Sequence, residues 1–269
     1  MKTLYVSDLD GTLLRSNERT SNYTNYIINK LTKQGMIFSY ATARSFVTAK
    51  KVAEGIYVHL PLIIYNGTFI LDNITNQMLL ENYFDSSIDI VIQELIENDI
   101  YPLVYSYINN QEKFSYIPEK CSRGMKQFQA AKKGDQRHHA VKTGDELLMG
   151  NKFYINCIDE PEKLKPFYEK YKATYHAIYQ RDIYSKEQWL ELLPKEASKA
   201  NAALQLKKLL QCDKLVVFGD GKNDIDMFQV ADECYAVENA VDELKQIATD
   251  IISSNEDDGV AKWLERNVK

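Results

Sequence analysis

Hydrophobic positions change their spacing several times along the chain, and each change marks an element. Thr3-Leu4-Tyr5-Val6 is a short apolar run that ends in the polar turn Ser7-Asp8-Leu9-Asp10-Gly11-Thr12, and it reads as a strand. From about Ser21, Ile27, Ile28 and Leu31 fall on one helical face, and Gly35 supplies a natural C-terminal residue. Met36 to Thr42 is a second strand. Ser45 can cap a helix ending near Gly55, and Leu62 to Tyr65 is a third strand closed by Asn66-Gly67. Strand, helix, strand, helix, strand predicts a Rossmann-like α/β core with a parallel sheet and crossover helices.

The middle of the chain has a different pattern. Ile88, Val91, Ile92, Leu95 and Ile96 mark an amphipathic helix from about Ser86, followed by two tyrosine-rich β runs, Tyr101 to Ile108 and Glu112 to Ile117. Cys121 to Gly144 is polar and basic with little period. A strand (Lys152 to Ile158), a helix opened by Pro161 with Leu164, Phe167, Tyr168 and Tyr171, and a strand from Thr174 to Gln180 complete it. The first pattern then returns. Gln188 to Leu193 reads as a strand, and Ser198 to Leu210 as a helix with Leu206, Leu209 and Leu210 inward. Lys214 to Phe218 is a buried-type strand ending in Gly219-Asp220-Gly221-Lys222-Asn223-Asp224. Cys234 to Val237 and Asp250 to Ser253 are short strands, and Asp258 to Asn267 is a closing helix. The expected architecture is a discontinuous core, 1–83 and 188–269, interrupted by an inserted α+β domain over 84–187.

At 269 residues with 45% apolar and 26% charged positions, the chain matches an ordinary globular protein of one to two domains. A domain of this size buries about 70% of its unfolded surface, so no metal is needed for folding and any metal serves chemistry. The net charge of −5 lacks the basic footprint of a nucleic-acid binder and argues against an anionic membrane surface. No apolar run reaches transmembrane length, and the stretch after Lys2 is too short for a signal-peptide core. Cys121, Cys157, Cys212 and Cys234 have no paired spacing, which fits a reduced, cytoplasmic setting.

Four carboxylates directly follow two apolar strands: Asp8 and Asp10 after the first, Asp220 and Asp224 after the strand ending at Phe218. Ligands of parallel α/β sheets bind at the carboxyl ends of the strands, so all four are expected at one edge. Two such charges 4 Å apart repel by about 4 kcal/mol at an effective dielectric near 20, and a divalent cation offsets this. With oxygen ligands and no nearby His or Cys, Mg²⁺ fits best. Asp-Gly is also a common turn dipeptide, so neither Asp10-Gly11 nor Asp220-Gly221 is informative alone.

Asp8-Leu9-Asp10-Gly11-Thr12 resembles the first motif of the haloacid-dehalogenase (HAD) superfamily. Thr42 in Ala41-Thr42-Ala43-Arg44 is similar to its second motif, Lys199 before an Ala-rich helix to its third, and Gly219 to Asp224 to its fourth, all in the family's order. The long insertion, Asn66-Gly67, Glu238-Asn239-Ala240 and Asp258-Gly259-Val260-Ala261 resemble the Cof-like type IIB branch, which has a large α+β cap. That branch often has Gly where Ala43 stands, a change that keeps the backbone N–H. The resemblance implies a phosphatase acting on a small phosphorylated metabolite, with sugar phosphates as the leading class. In it Asp8 would be the nucleophile forming an aspartyl-phosphate, and Asp10 the acid and base. Mg²⁺ would be held by Asp8, Asp220 and the main-chain carbonyl of Asp10. The N–H groups of Leu9 and Ala43, with Thr42, Lys199 and Asn223, would bind the phosphoryl group. Asp224 would orient Lys199 or metal-bound water, and Arg44 and Asn66 would stand on the substrate rim.

His59, His138, His139 and His176 lie outside every motif and are read as packing or surface residues, with His138-His139 beside Arg137 and Lys142 open to an anion. Dense tyrosines in the insertion read as sheet cover. A sugar phosphomutase using the same aspartyl-phosphate is one alternative. Others are a non-catalytic metabolite-binding protein and a receiver-type signalling module, although receivers are about half this length and lack a second Asp two residues after the nucleophile.

Overall fold

A computed structural model describes residues 1–57, 61–181 and 186–268. The first segment carries β1 (Thr3–Ser7), α1 (Asn22–Lys33), β2 (Ile37–Tyr40), α2 (Phe46–Val52), β3 (Leu62–Ile64), β4 (Phe69–Leu71) and β5 (Met78–Glu81). Next come α3 (Ile88–Glu97), β6 (Leu103–Ile108), β7 (Gln111–Tyr116), α4 (Arg123–Ala131) and β8 (His138–Ala140). They are followed by β9 (Asn151–Ile158), α5 (Pro161–Tyr171), β10 (His176–Arg181) and β11 (Gln188–Leu193). The last segment holds α6 (Lys199–Leu209), β12 (Lys214–Gly219), α7 (Ile225–Val230), β13 (Glu233–Val237), α8 (Asp242–Lys245), β14 (Asp250–Ile252) and α9 (Gly259–Asn267). Two compact units result, residues 1–81 with 197–269, and residues 82–196.

The first unit is built on a five-stranded parallel sheet in the order β14-β13-β12-β1-β2. Leu4, Val6, Leu215, Val217 and Phe218 of its central strands are fully buried, as a sheet covered on both faces requires. β1 and β12 run in register from Thr3 opposite Lys214 to Ser7 opposite Phe218. The residues just beyond Ser7 and Gly219 therefore emerge side by side. Serine hydroxyls cap three of its helices as the sequence suggests. The Oγ atoms of Ser21, Ser45 and Ser198 accept from the N–H of Thr24, Thr48 and Asn201 at 2.9, 3.3 and 3.1 Å.

Three expectations change here. β3 meets the end of β2 through a parallel bridge between Ala41 and Ile63, as a third parallel strand would, but its ladder is an antiparallel sheet with β4 and β5. Phe69-Ile70-Leu71 and Met78-Leu79-Leu80 are short apolar runs without alternation, so neither registers as a strand in sequence. Within α6 the buried stripe is Lys199, Ala202, Ala203 and Leu206, whereas Leu209 is 52% exposed. With Ala200, also buried, the stripe is centred close to Lys199, and at about 100° per residue Leu209 lies about 90° from that centre. Finally, β11 pairs with β9 and β10 and so lies in the second unit, not in the core as expected for residues 188–193.

The second unit contains a six-stranded sheet, β10-β11-β9-β6-β7-β8, antiparallel except between β7 and β8. Ile88, Val91, Ile92 and Leu95 of α3 and Leu164 and Phe167 of α5 form one cluster with Val104, Ile155, Cys157, Leu190 and Leu192. That cluster explains β11, whose alternate leucines Leu190 and Leu192 face it. Tyr105 packs against Phe114 and Tyr154, and α4 sets Phe128 against Trp189. The sequence hides α4 because only Gly124 and Met125 of it are buried, too few for a period. His138 bonds Tyr116 Oη and the Lys132 carbonyl, and His139 bonds Ser115 Oγ. Arg137 is paired with Glu112 and Asp135, both at 2.6 Å, so its charge is already met. His59 lies outside the described residues. Among the described residues no helix is long and apolar enough to cross a membrane.

Candidate active site

Asp8 continues the ladder one residue past β1, its N–H donating to the Phe218 carbonyl at 2.9 Å. Its side chain is buried at the sheet edge. Lys199 opens α6 directly behind the Ser198 cap, and its Nζ reaches Asp8 Oδ1 at 2.5 Å and Asp224 Oδ1 at 2.7 Å. Lys199 and Asp224 are 2% and 0% exposed, so an ammonium sits between two carboxylates away from bulk water. The other Asp224 oxygen accepts from the N–H of Asp220 (3.1 Å) and Gly221 (3.0 Å), which folds the loop after β12 around it.

Asp220 is held from the opposite loop. Thr12 Oγ1 donates to its Oδ1 at 2.8 Å. Gly11 has φ +79° and lies so close that a Cβ there would stand 2.3 Å from Asp220 Oδ2; only glycine fits both constraints. Carboxylate oxygens of Asp8, Asp220 and Asp224 all lie within 4.8 Å of one another.

Burial raises the Asp8 carboxyl well above the usual range; Lys199 opposes this, while Asp224, Asp220 and Asp10 add to it. Asp220 is pushed up to about 6 by burial and then by Asp224. Burial works against the Lys199 ammonium, but Asp224 and Asp8 outweigh it and raise its affinity for the proton. Three carboxylates around one ammonium leave an excess of negative charge, and the donors are all oxygen. A hard divalent cation fits that donor set.

The Asp10 carboxylate stands outside this group. Arg44 grips it with both arms, Nε to Oδ2 at 2.8 Å and Nη2 to Oδ1 at 2.6 Å, and Nη2 also reaches Glu18 Oε2 at 2.9 Å. Arg44 thus touches one of the expected site residues itself. Glu18, in a left-handed turn (φ 56°), belongs to no motif, and its contact arises only when the loop folds back. Thr12 was likewise visible as part of the first motif without its hydrogen bond to Asp220 being apparent.

The remaining expected residues follow β1, β2, β3 and β12. Thr42 is fully buried, its N–H on the Ile63 carbonyl at 3.0 Å and its Oγ1 accepting from the Arg44 N–H at 3.1 Å. Ala43 beside it is exposed. Asn66 donates its N–H to the Thr42 carbonyl at 2.9 Å and adopts φ 52°; it is buried, and its Oδ1 has no partner among the described residues. Gly67 (φ +90°) presses on the start of α6, where a Cβ would meet the Ser198 carbonyl at 2.1 Å. The Asn66-Gly67 turn therefore ties the end of β2 to the helix that presents Lys199. Leu9 is buried, and its carbonyl accepts from the N–H of Thr12, Leu13 and Leu14 at 3.3, 3.0 and 2.8 Å. Asn223 is half-buried in the one-turn helix Lys222–Asp224, next to Asp224.

A family model described as haloacid dehalogenase-like hydrolase matches residues 5–264. The 5-amino-6-(5-phospho-D-ribitylamino)uracil phosphatase YwtE of Bacillus subtilis is 25% identical, over 99% of this chain and 98% of its own. The crystal structure of TM0651 from Thermotoga maritima superposes with a TM-score of 0.79 at 24% identity, covering 100% of this chain and 98% of that one. The subclass IIB sugar phosphatase BT4131 superposes with a TM-score of 0.76 at 16% identity, covering 99% and 98%.

Proposed function

Because the chain belongs to the haloacid dehalogenase-like hydrolase family, we propose that it is a Mg²⁺-dependent phosphatase that hydrolyses a small phosphorylated sugar or polyol through an aspartyl-phosphate on Asp8. The observation that carries this reading is the buried constellation in which Lys199 bonds Asp8 and Asp224 while the Asp8, Asp220 and Asp224 oxygens lie within 4.8 Å. The substrate class rests on relatives: YwtE is named for a phosphoribityl compound and BT4131 for sugar phosphates.

In the first step a carboxylate oxygen of Asp8 bonds to phosphorus as the bond to the ester oxygen breaks, and Asp10 gives that oxygen its proton. In the second step water attacks the phosphorus, the bond from phosphorus to Asp8 breaks, and Asp10 takes the water's proton. Arg44 holds the Asp10 carboxylate in place through both oxygens here, and it must release one of them for Asp10 to carry the proton given in the first step. Lys199 holds Asp8 in place and offsets charge on the phosphoryl oxygens. The Thr42 hydroxyl, the N–H groups of Leu9 and Ala43, and the Asn223 amide complete the phosphoryl cradle. Asp224 fixes Lys199 and the Asp220 loop. Mg²⁺, held by Asp8, Asp220 and the Asp10 main-chain carbonyl, would supply positive charge beside the phosphoryl oxygens.

The test is phosphate release with and without Mg²⁺ across sugar phosphates, ribityl phosphates, nucleotides and cofactor phosphates. Turnover concentrated among phosphorylated sugars and polyols is expected. No release from any monoester in the presence of Mg²⁺ would refute the reading.

A further inference from the structure

Two sequence features, Glu238-Asn239-Ala240 and the stretch around Asp258, lie outside the carboxylate cluster. Both lie against the irregular loop that carries Asp10 from β1 toward α1. Asn239 Nδ2 donates to the Gly11 carbonyl at 2.8 Å, and Asn255 Nδ2 donates to the buried Leu14 carbonyl at 2.8 Å. The two residues are linked, because the main-chain N–H of Asn255 donates to Asn239 Oδ1 at 3.0 Å. Further along, the Ser16 N–H donates to Glu256 Oε1 and Arg15 pairs with Asp258, both at 2.6 Å.

The same short segment also grips the other acidic loop, since the Val241 N–H donates to the Asp220 carbonyl at 2.9 Å. Gly11 and Thr12 in turn touch the Asp220 carboxylate directly. Leu14 pairs with Asp10 through an isolated bridge. A shift of Asn239 would therefore move Gly11 against Asp220 and Asp10 against Asp8 together. We propose that Asn239 and Asn255 form an amide clamp that sets the spacing of the Asp10 and Asp220 loops, and through it Mg²⁺ binding and phosphoryl transfer. Neither side chain is placed on a reacting atom, so both are positioning residues, and the proposal rests on the phosphatase reading above.

A side-chain amide suits the task because Asn239 donates to the Gly11 loop while accepting from the main-chain N–H of Asn255. Asn239→Asp keeps the shape and the acceptor but loses the donor to Gly11, and Asn239→Ala loses both. Both variants, in the full chain, are expected to lose about 10–100-fold in kcat on p-nitrophenyl phosphate with KM within about 3-fold. Mg²⁺ affinity, read by calorimetry without substrate, is expected to weaken about 10-fold. Asn239 is exposed, so melting should change little. Asn255→Ala, at a buried site, is expected to show the same losses if it folds, and the Asn239 variants decide the matter if it does not.

A matched control is Asn267→Ala, which removes a side-chain amide bond to the Trp263 carbonyl on α9 and should leave kcat and Mg²⁺ affinity unchanged. Folded Asn239 variants within about 2-fold of wild type in both kcat and Mg²⁺ affinity overturn the clamp. A wild-type protein with neither phosphatase activity nor Mg²⁺ affinity overturns the proposed function, and the clamp with it.

Discussion

Lys199 is the single buried cation between Asp8 and Asp224, so removing it strands two carboxylates in a site that burial already makes unfavourable for charge. Lys199→Met should cost about 3–5 kcal/mol of stability at neutral pH, seen in thermal melts, and about 10²–10³-fold in turnover. Asp10→Asn should slow alkyl phosphates far more than activated aryl phosphates, because a good leaving group needs little protonation. Equal losses on both, measured as kcat/KM, would contradict its role as the acid. Asp220 makes a pH prediction. Its folded value, about 6, lies above the ordinary 3.8, so its share of stability is complete below the ordinary value and is lost as pH rises through 6. That share is about 3 kcal/mol at most. Mg²⁺ competes with the same proton, so the rise in melting temperature on adding Mg²⁺ should be larger at pH 7 than at pH 5. Asp8, Asp220 and Lys199 were legible because each follows or opens a recognisable element. The pairing of Arg44 and Glu18 with Asp10 was not, since it depends on a loop closure that no local pattern encodes.

At the scale of elements, the β1–β12 register brings the two acidic loops together, and the glycines let them touch. Gly67→Ala should lower the melting temperature by about 5–10 °C, because its φ of +90° strains any Cβ and the Ser198 carbonyl stands 2.1 Å from it. Activity should fall as well, since the displaced segment caps the helix bearing Lys199. A melt and a turnover assay indistinguishable from wild type would contradict this. The parallel core, its serine caps and the closing helix were readable from apolar spacing. β4 and β5 are apolar runs without alternation, α4 buries only Gly124 and Met125, and a leucine in a last turn, such as Leu209, carries no mark of which way it faces.

For the molecule as a whole, the sequence placed the family and the acidic loops, and it named no ligand. The acidic cluster of Asp8, Asp220 and Asp224 rests on short motifs with fixed spacing, whereas the second unit presents a sheet of tyrosines and paired ions that matches no motif. Gln188–Leu193 shows the difficulty: its apolar alternation suits either unit, and only pairing with β9 and β10 assigns it. The most direct test of the account is rapid acid quench of the enzyme during turnover with Mg²⁺, followed by peptide mass analysis. A phosphoryl group on the Asp8 peptide, absent in Asp8→Asn together with turnover, is the predicted result. Sustained phosphate release by Asp8→Asn, with no modified Asp8 in the wild type, would contradict it.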